Sequence, residues 1–287
     1  MKNSIIVLLV LLLAACSLTV SRPLFMLDTY PKVDGSTVTI PLSEAICAAL
    51  TKKTLVEIRP FIKHNTTHLA YLNLIDKKVD LIFVTSPSAE ELAYAAEKGV
   101  ALEVVPLVAE AFVFLVNADN PVESLTLKEV QKIYSGEITN WKEVGGEDKP
   151  ILAYQRPVNS GSQTGFLALV MKNLVPMIPL KDRIPLGMGE LIEFVARFDN
   201  QASGIGYSYY YFVIDMWGNK NVKLLKIDGV YPDKTTISAK TYPITTAYYA
   251  VFRKDEKPGG KVTQIVNWIL SKEGQQLAQD AGYVKVR

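Results

Sequence analysis

The chain has 287 residues, of which 49% are hydrophobic and 21% charged, and its formal net charge is +2. Such a length carries a sizeable core and points to two lobes, because single cores stop growing near ~250–300 residues. Near-balanced charge, spread along the chain with no arginine-rich tract, argues against a nucleic-acid surface and against a polybasic membrane patch.

The first residues, "MKNSIIVLLVLLLAACS", hold one lysine, an apolar run from Ile5 to Ala15, and then Cys16. That run is short for a bilayer span but suits a secretory h-region. Leu13-Ala14-Ala15-Cys16 resembles a bacterial lipobox, in which the cysteine becomes the lipidated first residue of the mature protein. A signal peptide cut elsewhere, or a short membrane anchor, is the plainer alternative. The expectation is an exported, extracytoplasmic protein tethered to a bacterial membrane through lipid on Cys16, with residues 1–22 as signal and tether. Cys47 then has no partner, so no disulfide framework holds the fold. Its setting, "SEAICAAL", predicts a buried structural thiol.

Past the tether, strand and helix signals alternate. "STVTIPLSEAICAALTKKT" opens on hydroxyls and continues with helical periodicity. "LVEIRPFI" alternates as a strand would, and "THLAYLNLIDKK" is amphipathic. "VDLIFV" reads as a buried parallel strand. "PSAEELAYAAEKG" is a helix with acids in its first turn and Gly99 at its end. "LEVVPLV" and "AFVFLVN" read as two further strands. "LTLKEVQKIYSGEITNW" supplies a short helix closed by Ser135-Gly136, and "VGGEDKPILAYQR" a turn and a strand. "LALVMKNLV" and "MGELIEFVARFDN" are helical, "GIGYSYYYFV" and "YPITTAYYAVFRK" are strand-like, and "GGKVTQIVNWILSKEGQQLAQDAG" is helical to Gly282. This order predicts an α/β fold with open, mostly parallel sheets. No repeat or low-complexity linker interrupts it.

Four segments share one grammar, a short loop rich in hydroxyls or glycine that opens a helix. They are Asp34-Gly35-Ser36-Thr37, Asn65-Thr66-Thr67, Thr85-Ser86-Pro87-Ser88 and Ser160-Gly161-Ser162-Gln163. The first N–H groups of a helix lack internal partners and lie at the positive end of its dipole, so an oxyanion fits there. Taken singly, each is more simply a helix cap. In open α/β sheets, however, the loops after the carboxyl ends of strands gather at one crevice. Arg156, four residues before Ser160, adds a fixed charge with a planar fork of donors. Alone it would be read as a surface arginine or one half of an ion pair.

"IYSGEITNWKEVGG" (133–146), followed by Arg156-x-x-x-Ser160-Gly161-Ser162, resembles the phosphate-binding proteins of ABC transporters. "GIGYS", "KIDGVYP", "YPITTAYYAVFRK" and "SKEGQQLAQDAGYVKV" match that family in the same order. The resemblance implies a two-lobed periplasmic-binding-protein fold of type II. The expected division is residues 23–108 plus 245–287 in one lobe and 109–244 in the other. It further implies that the lobes close on phosphate or a related inorganic oxyanion and present it to an ABC permease, the protein acting as a monomer, without cofactor and without catalysis. Arg156, Ser160, Gly161 and Ser162 match the family's Arg-x-x-x-Ser-Gly-Thr anion loop, with Ser in place of Thr. Ser36 and Thr37 match its N-terminal loop. "VDLIFVTSPSAEE" matches the third, where the family commonly carries an aspartate and this chain has Thr85 and Ser86. Thr66, Thr67 and Ser88 complete the candidate ligands. A sensory or interaction protein that kept the scaffold and lost phosphate binding is the alternative, and Thr85-Ser86 is its support.

Other groups have plainer accounts. His64 and His68 could hold a metal if they shared a helix face, but a loop or surface pair fits better. A serine nucleophile at Ser160 or Ser162 would need one of these histidines as its base. Tyr207 to Phe212 could line a crevice or pack in the core, and core packing is the default. Glu90 and Glu91 suit a helix dipole.

Overall fold

In the computed structural model, which describes residues 23–197 and 202–286, the alternating apolar runs become strands and the amphipathic stretches become the helices that cover them. The lipobox and Cys16 lie outside the described residues. The strands are β1 (Val33–Gly35), β2 (Leu81–Val84), β3 (Leu102–Asn117), β4 (Ser124–Leu125), β5 (Leu152–Ala153), β6 (Gly204–Tyr209), β7 (Val222–Leu224), β8 (Lys226–Ile227), β9 (Thr245–Arg253) and β10 (Val284–Lys285). The order β1-β2-β9-β3-β6-β5 forms one path, with β7 and β10 also on β3, while β4 pairs with β8 apart from it. Two lobes follow from how β3 is shared. Leu102 to Ala111 pair with β9, and Phe112 to Val116 pair with β6.

Helices α1 (Ile40–Thr51), α2 (Leu55–Ile58), α3 (Thr66–Ile75) and α4 (Ala89–Glu97) accompany β1 and β2; α5 (Leu127–Ser135), α6 (Gly161–Gly165) and α7 (Met188–Ala196) accompany β5 and β6. Then come α8 (Lys234–Ser238), α9 (Lys261–Ile269) and α10 (Lys272–Asp280). Local chemistry sets their ends. Ser88 with Glu91 and Thr126 with Glu129 form reciprocal capping boxes, and Gly136 at φ +84° terminates α5 in the left-handed region. Cys47 is fully buried in α1, and burial pushes its thiol up to about 11. No helix among the described residues is long and apolar enough to cross a membrane.

Several expectations change. The sheet is mixed: β1–β2 and β5–β6 are parallel, but β9 runs antiparallel to β2 and β3, and β3 antiparallel to β6. Long antiparallel strands carry the chain between lobes, so parallel pairs are confined to each lobe's outer part. "LVEIRPFI" is helical at its start because Thr54 and Glu57 form a capping box; only Ile62 makes a bridge to β1. "LEVVPLV" and "AFVFLVN" are one sixteen-residue strand, its register shifting between Pro106 and Val108. "GIGYSYYYFV" is strand to Tyr209 and then helical, running into a π-type turn at Phe212–Trp217.

Two features of the core generate predictions. Phe166, fully buried, stacks on Tyr207 at 4.5 Å with planes 4° apart and meets Tyr134 at 4.7 Å. Phe166→Ala should cost about 3–5 kcal/mol in denaturant melts; a loss below 1 kcal/mol would show that the stack is not a core anchor. Glu110 lies beside the point where β3 leaves β9. It is 2% exposed and accepts from the N–H groups of Ala111 at 2.8 Å and Tyr211 at 3.3 Å. Burial raises its pKa from 4.5 to about 7. Between those values the folded chain holds a proton that the unfolded chain has lost. The stabilisation is complete below 4.5 and is lost as pH rises through 7, by about 3 kcal/mol. Glu110→Gln should flatten that decline in melts at pH 5 and pH 8, and an unchanged decline would assign it to other groups.

Candidate anion-binding cleft

One wall is arranged by Asp34, in the middle of β1. Its buried carboxylate accepts from the backbone N–H of Gly35 (2.7 Å) and of Asn65 (2.8 Å), and from the amides of Asn65 (2.9 Å) and Asn73 (2.8 Å). Filled lone pairs make a buried carboxylate tolerable. Here they also tie the end of β1 to the turn that opens α3. Ser36 follows, its N–H donating to Phe83 O of β2 at 2.9 Å, and Thr37 starts a 3-10 turn that runs into α1. Thr66 and Thr67 open α3, whose preceding Asn65 makes no side-chain cap bond. Thr66 has φ +74°, a strained value for a β-branched residue and one found at ligand sites. Thr85 follows β2, its carbonyl accepting from Tyr71 Oη at 2.8 Å.

The facing wall begins where β5 ends. Arg156 N–H is shared between Tyr207 Oη (2.9 Å) and Gln163 Oε1 (3.1 Å), and Tyr207 Oη donates to Gln163 as well. Ser160 caps α6 by accepting from Gln163 N–H at 3.2 Å, which puts Gly161 and Ser162 in the first turn. Helical structure continues as a π-type stretch through Met171. Tyr209 Oη donates to Gly161 O at 3.0 Å, and Arg156 Nη2 donates to Leu186 O at 2.8 Å.

The walls meet. A Cβ on Gly161 would lie 2.3 Å from Thr67 Oγ1 and 2.8 Å from Thr85 Oγ1. Asn159 Nδ2 donates across to Glu90 Oε2 at 2.7 Å. Ser36, Thr37, Thr66, Thr67, Thr85, Arg156, Ser160, Gly161 and Ser162 line a single cavity of about 760 Å³. Ser86 and Ser88 do not line it. Ser88 is occupied as the cap of α4, accepting from Glu91 N–H at 3.2 Å, and Ser86 is half-buried off the lining.

The electrostatics are those of an unfinished site. Arg156 is 8% exposed, yet its Nε and Nη1 have no hydrogen-bond partner, and no carboxylate among the described residues forms an ion pair with it. Burial pulls its pKa down, with Tyr207 and Glu190 partly opposing. Ser162 Oγ and Thr85 Oγ1 are also buried without partners. Burial drives the pKa of Tyr209 strongly upward, and Thr85 nearby partly opposes it. Each unpaired hydroxyl costs about 1–3 kcal/mol and an unpaired buried charge more. An oxyanion would satisfy all four atoms together. A metal has no counterpart, since no group of three or more His, Cys, Asp or Glu among the described residues could hold one.

Sequence reasoning missed part of the lining. His68 stands in the first turn of α3, on the cavity, with Nδ1 3.0 Å from Oε1 of Glu91, which is 1% exposed. Glu91 thus holds a histidine besides capping its helix. His64 is separate, its Nε2 2.7 Å from Ser43 Oγ. Neither histidine pairs with Ser160 or Ser162, so no serine–histidine couple forms. The signal for His68 was its place directly after Thr67. Tyr209 and Phe212 line the cavity while Tyr207 packs in the core, and Met188, Gly189, Glu190, Met216 and Trp217 join the lining from distant segments. Gly161→Ala should hold the walls apart, costing the closed form about 1–3 kcal/mol. Small-angle scattering should then show a larger radius of gyration than wild type at unchanged helix content. Equal radii would mean that this contact does not limit closure.

A family model described as the PBP superfamily domain matches residues 30–273. The phosphate-binding protein PstS of Bacillus subtilis is 28% identical over 172 residues, 60% of this chain and 53% of that protein. PstS of Borreliella burgdorferi is 26% identical over 183 residues, 62% of this chain and 64% of its own length. The chain therefore spans less than two thirds of these two curated relatives. Among solved structures, a Clostridium perfringens protein with bound phosphate, assigned as a phosphate ABC transporter substrate-binding protein, superposes with TM-score 0.70 at 25% identity, covering 89% of this chain and 98% of that one. An ABC-type phosphate transport receptor of Vibrio cholerae shares the fold at TM-score 0.66 and 20% identity, over 88% of this chain and 98% of its own. With the family model spanning most of its length, this chain belongs to the PBP superfamily.

Proposed function

We propose that this chain is an extracytoplasmic substrate-binding protein of an ABC transporter, taking phosphate or a related oxyanion between its lobes. The observation that carries the reading is the buried guanidinium of Arg156, unpaired at Nε and Nη1, beside the unpaired hydroxyls of Ser162 and Thr85. The names of the Bacillus and Borreliella relatives, and the phosphate in the Clostridium structure, point to the same ligand class. In this reading Ser36, Thr37, Thr66 and Thr67 serve from the lobe of residues 23–108 plus 245–287. Arg156, Ser160, Gly161 and Ser162 serve from the lobe of residues 109–244. The anion exchanges water for N–H, hydroxyl and guanidinium donors, and no bond is made or broken. Because donors come from both sides, ligand has higher affinity for the closed form, and that difference drives closure. The protein acts as a monomer, is held at the membrane by lipid on Cys16, and delivers its ligand to a permease.

The experiment is calorimetric competition of phosphate, arsenate and sulfate, with Arg156→Ala alongside. Charge-assisted hydrogen bonds contribute about 1.5–3 kcal/mol each, so Arg156→Ala should weaken phosphate binding by about 3 kcal/mol or more. Unchanged affinity in that variant would remove Arg156 from the site. Absence of binding at millimolar phosphate would favour an interaction protein on the same scaffold.

A further inference from the structure

Beyond the oxyanion donors, the cleft has a second surface that an inorganic ion cannot use. Trp217 lines the cavity with 46% of its surface exposed, yet its ring is fixed in place. Its Nε1 donates to Glu193 Oε1 at 2.7 Å, and it stacks on Phe212 at 5.8 Å with planes 25° apart. It lies so close over Gly189 that a Cβ there would fall 2.2 Å from the ring. Glycine at 189 is what admits the indole. Met188 and Met216 extend this apolar wall. The wall adjoins the anion donors through Leu186, whose carbonyl accepts from Arg156 and which also lines the cavity.

The cleft has room for more than a bare inorganic ion. A cavity of about 760 Å³ is in the range of organic-ligand pockets (~300–1,000 Å³), whereas a five-atom tetrahedral ion displaces only a few water volumes of ~30 Å³ each. Arg156 offers donors only, and the one carboxylate on the lining, Glu190, accepts from the N–H groups of Leu186 (2.6 Å) and Gly187 (3.3 Å), both through Oε2. A phosphate monoester above its second ionisation, near ~6, presents three acceptor oxygens and no proton. A rigid aromatic ring on the wall would pack against the group such an anion carries.

We infer that the cleft takes a phosphoryl dianion borne on an apolar or aromatic group, an R–PO3 ligand, with Trp217 covering R. The inference rests on the reading of the cleft as an oxyanion site and names the ligand class within it.

Calorimetry of the full chain with phenyl phosphate, phenylphosphonate and inorganic phosphate tests it. Both phenyl probes should bind at least tenfold more tightly than phosphate. Trp217→Ala should reduce that ratio to threefold or less, and Trp217→Phe, which retains a ring, should keep most of it. Phosphate binding as tightly as the phenyl probes, or a ratio that Trp217→Ala leaves intact, overturns the inference while the oxyanion reading stands. Failure of all three probes to bind overturns both.

Discussion

A guanidinium buried with two of its nitrogens unpaired is the constraint on which this structure turns. Arg156 cannot withdraw to solvent, because its backbone N–H is fixed by Tyr207 and Gln163 and its Nη2 by Leu186 O. Its charge is therefore held at the cleft in the free protein, at a cost that the stacked core of Phe166, Tyr207 and Tyr134 sustains. Holding donors in place beforehand is what allows an anion to be bound without reorganising the site.

The two walls touch directly. Gly161 lies against Thr67 and Thr85, Asn159 bonds Glu90, and β3 runs continuously from one lobe into the other. Glu110, buried where β3 changes partners, places a titratable group at the crossover. Protonation there and anion charge in the cleft are separate influences on one fold.

Much of this was legible in local patterns. The acidic first turn of α4, the buried run at β2 and the end of α5 at Gly136 follow from residues a few positions apart. The same kind of signal was overlooked at Thr54 and Glu57, where strand-like alternation masked a capping box. Hydroxyl loops after strand ends pointed to much of the cavity's polar lining, because topology brings such loops together whatever their separation in sequence. Ser88 misled because capping and anion binding use the same residue types. The His68–Glu91 pair and the Trp217–Gly189 contact were illegible. Each depends on which helices pack side by side, and no spacing in the chain reports that.

The central claim is that an oxyanion completes the unpaired donors of Arg156, Ser162 and Thr85. Anomalous diffraction from crystals grown with arsenate tests it most directly, since arsenic marks its own position. A single peak is expected in the cleft, with arsenate oxygens ~3 Å from Arg156 Nε and Nη1 and from Ser162 Oγ. A peak away from these atoms, or water alone beside them at saturating arsenate, would contradict it.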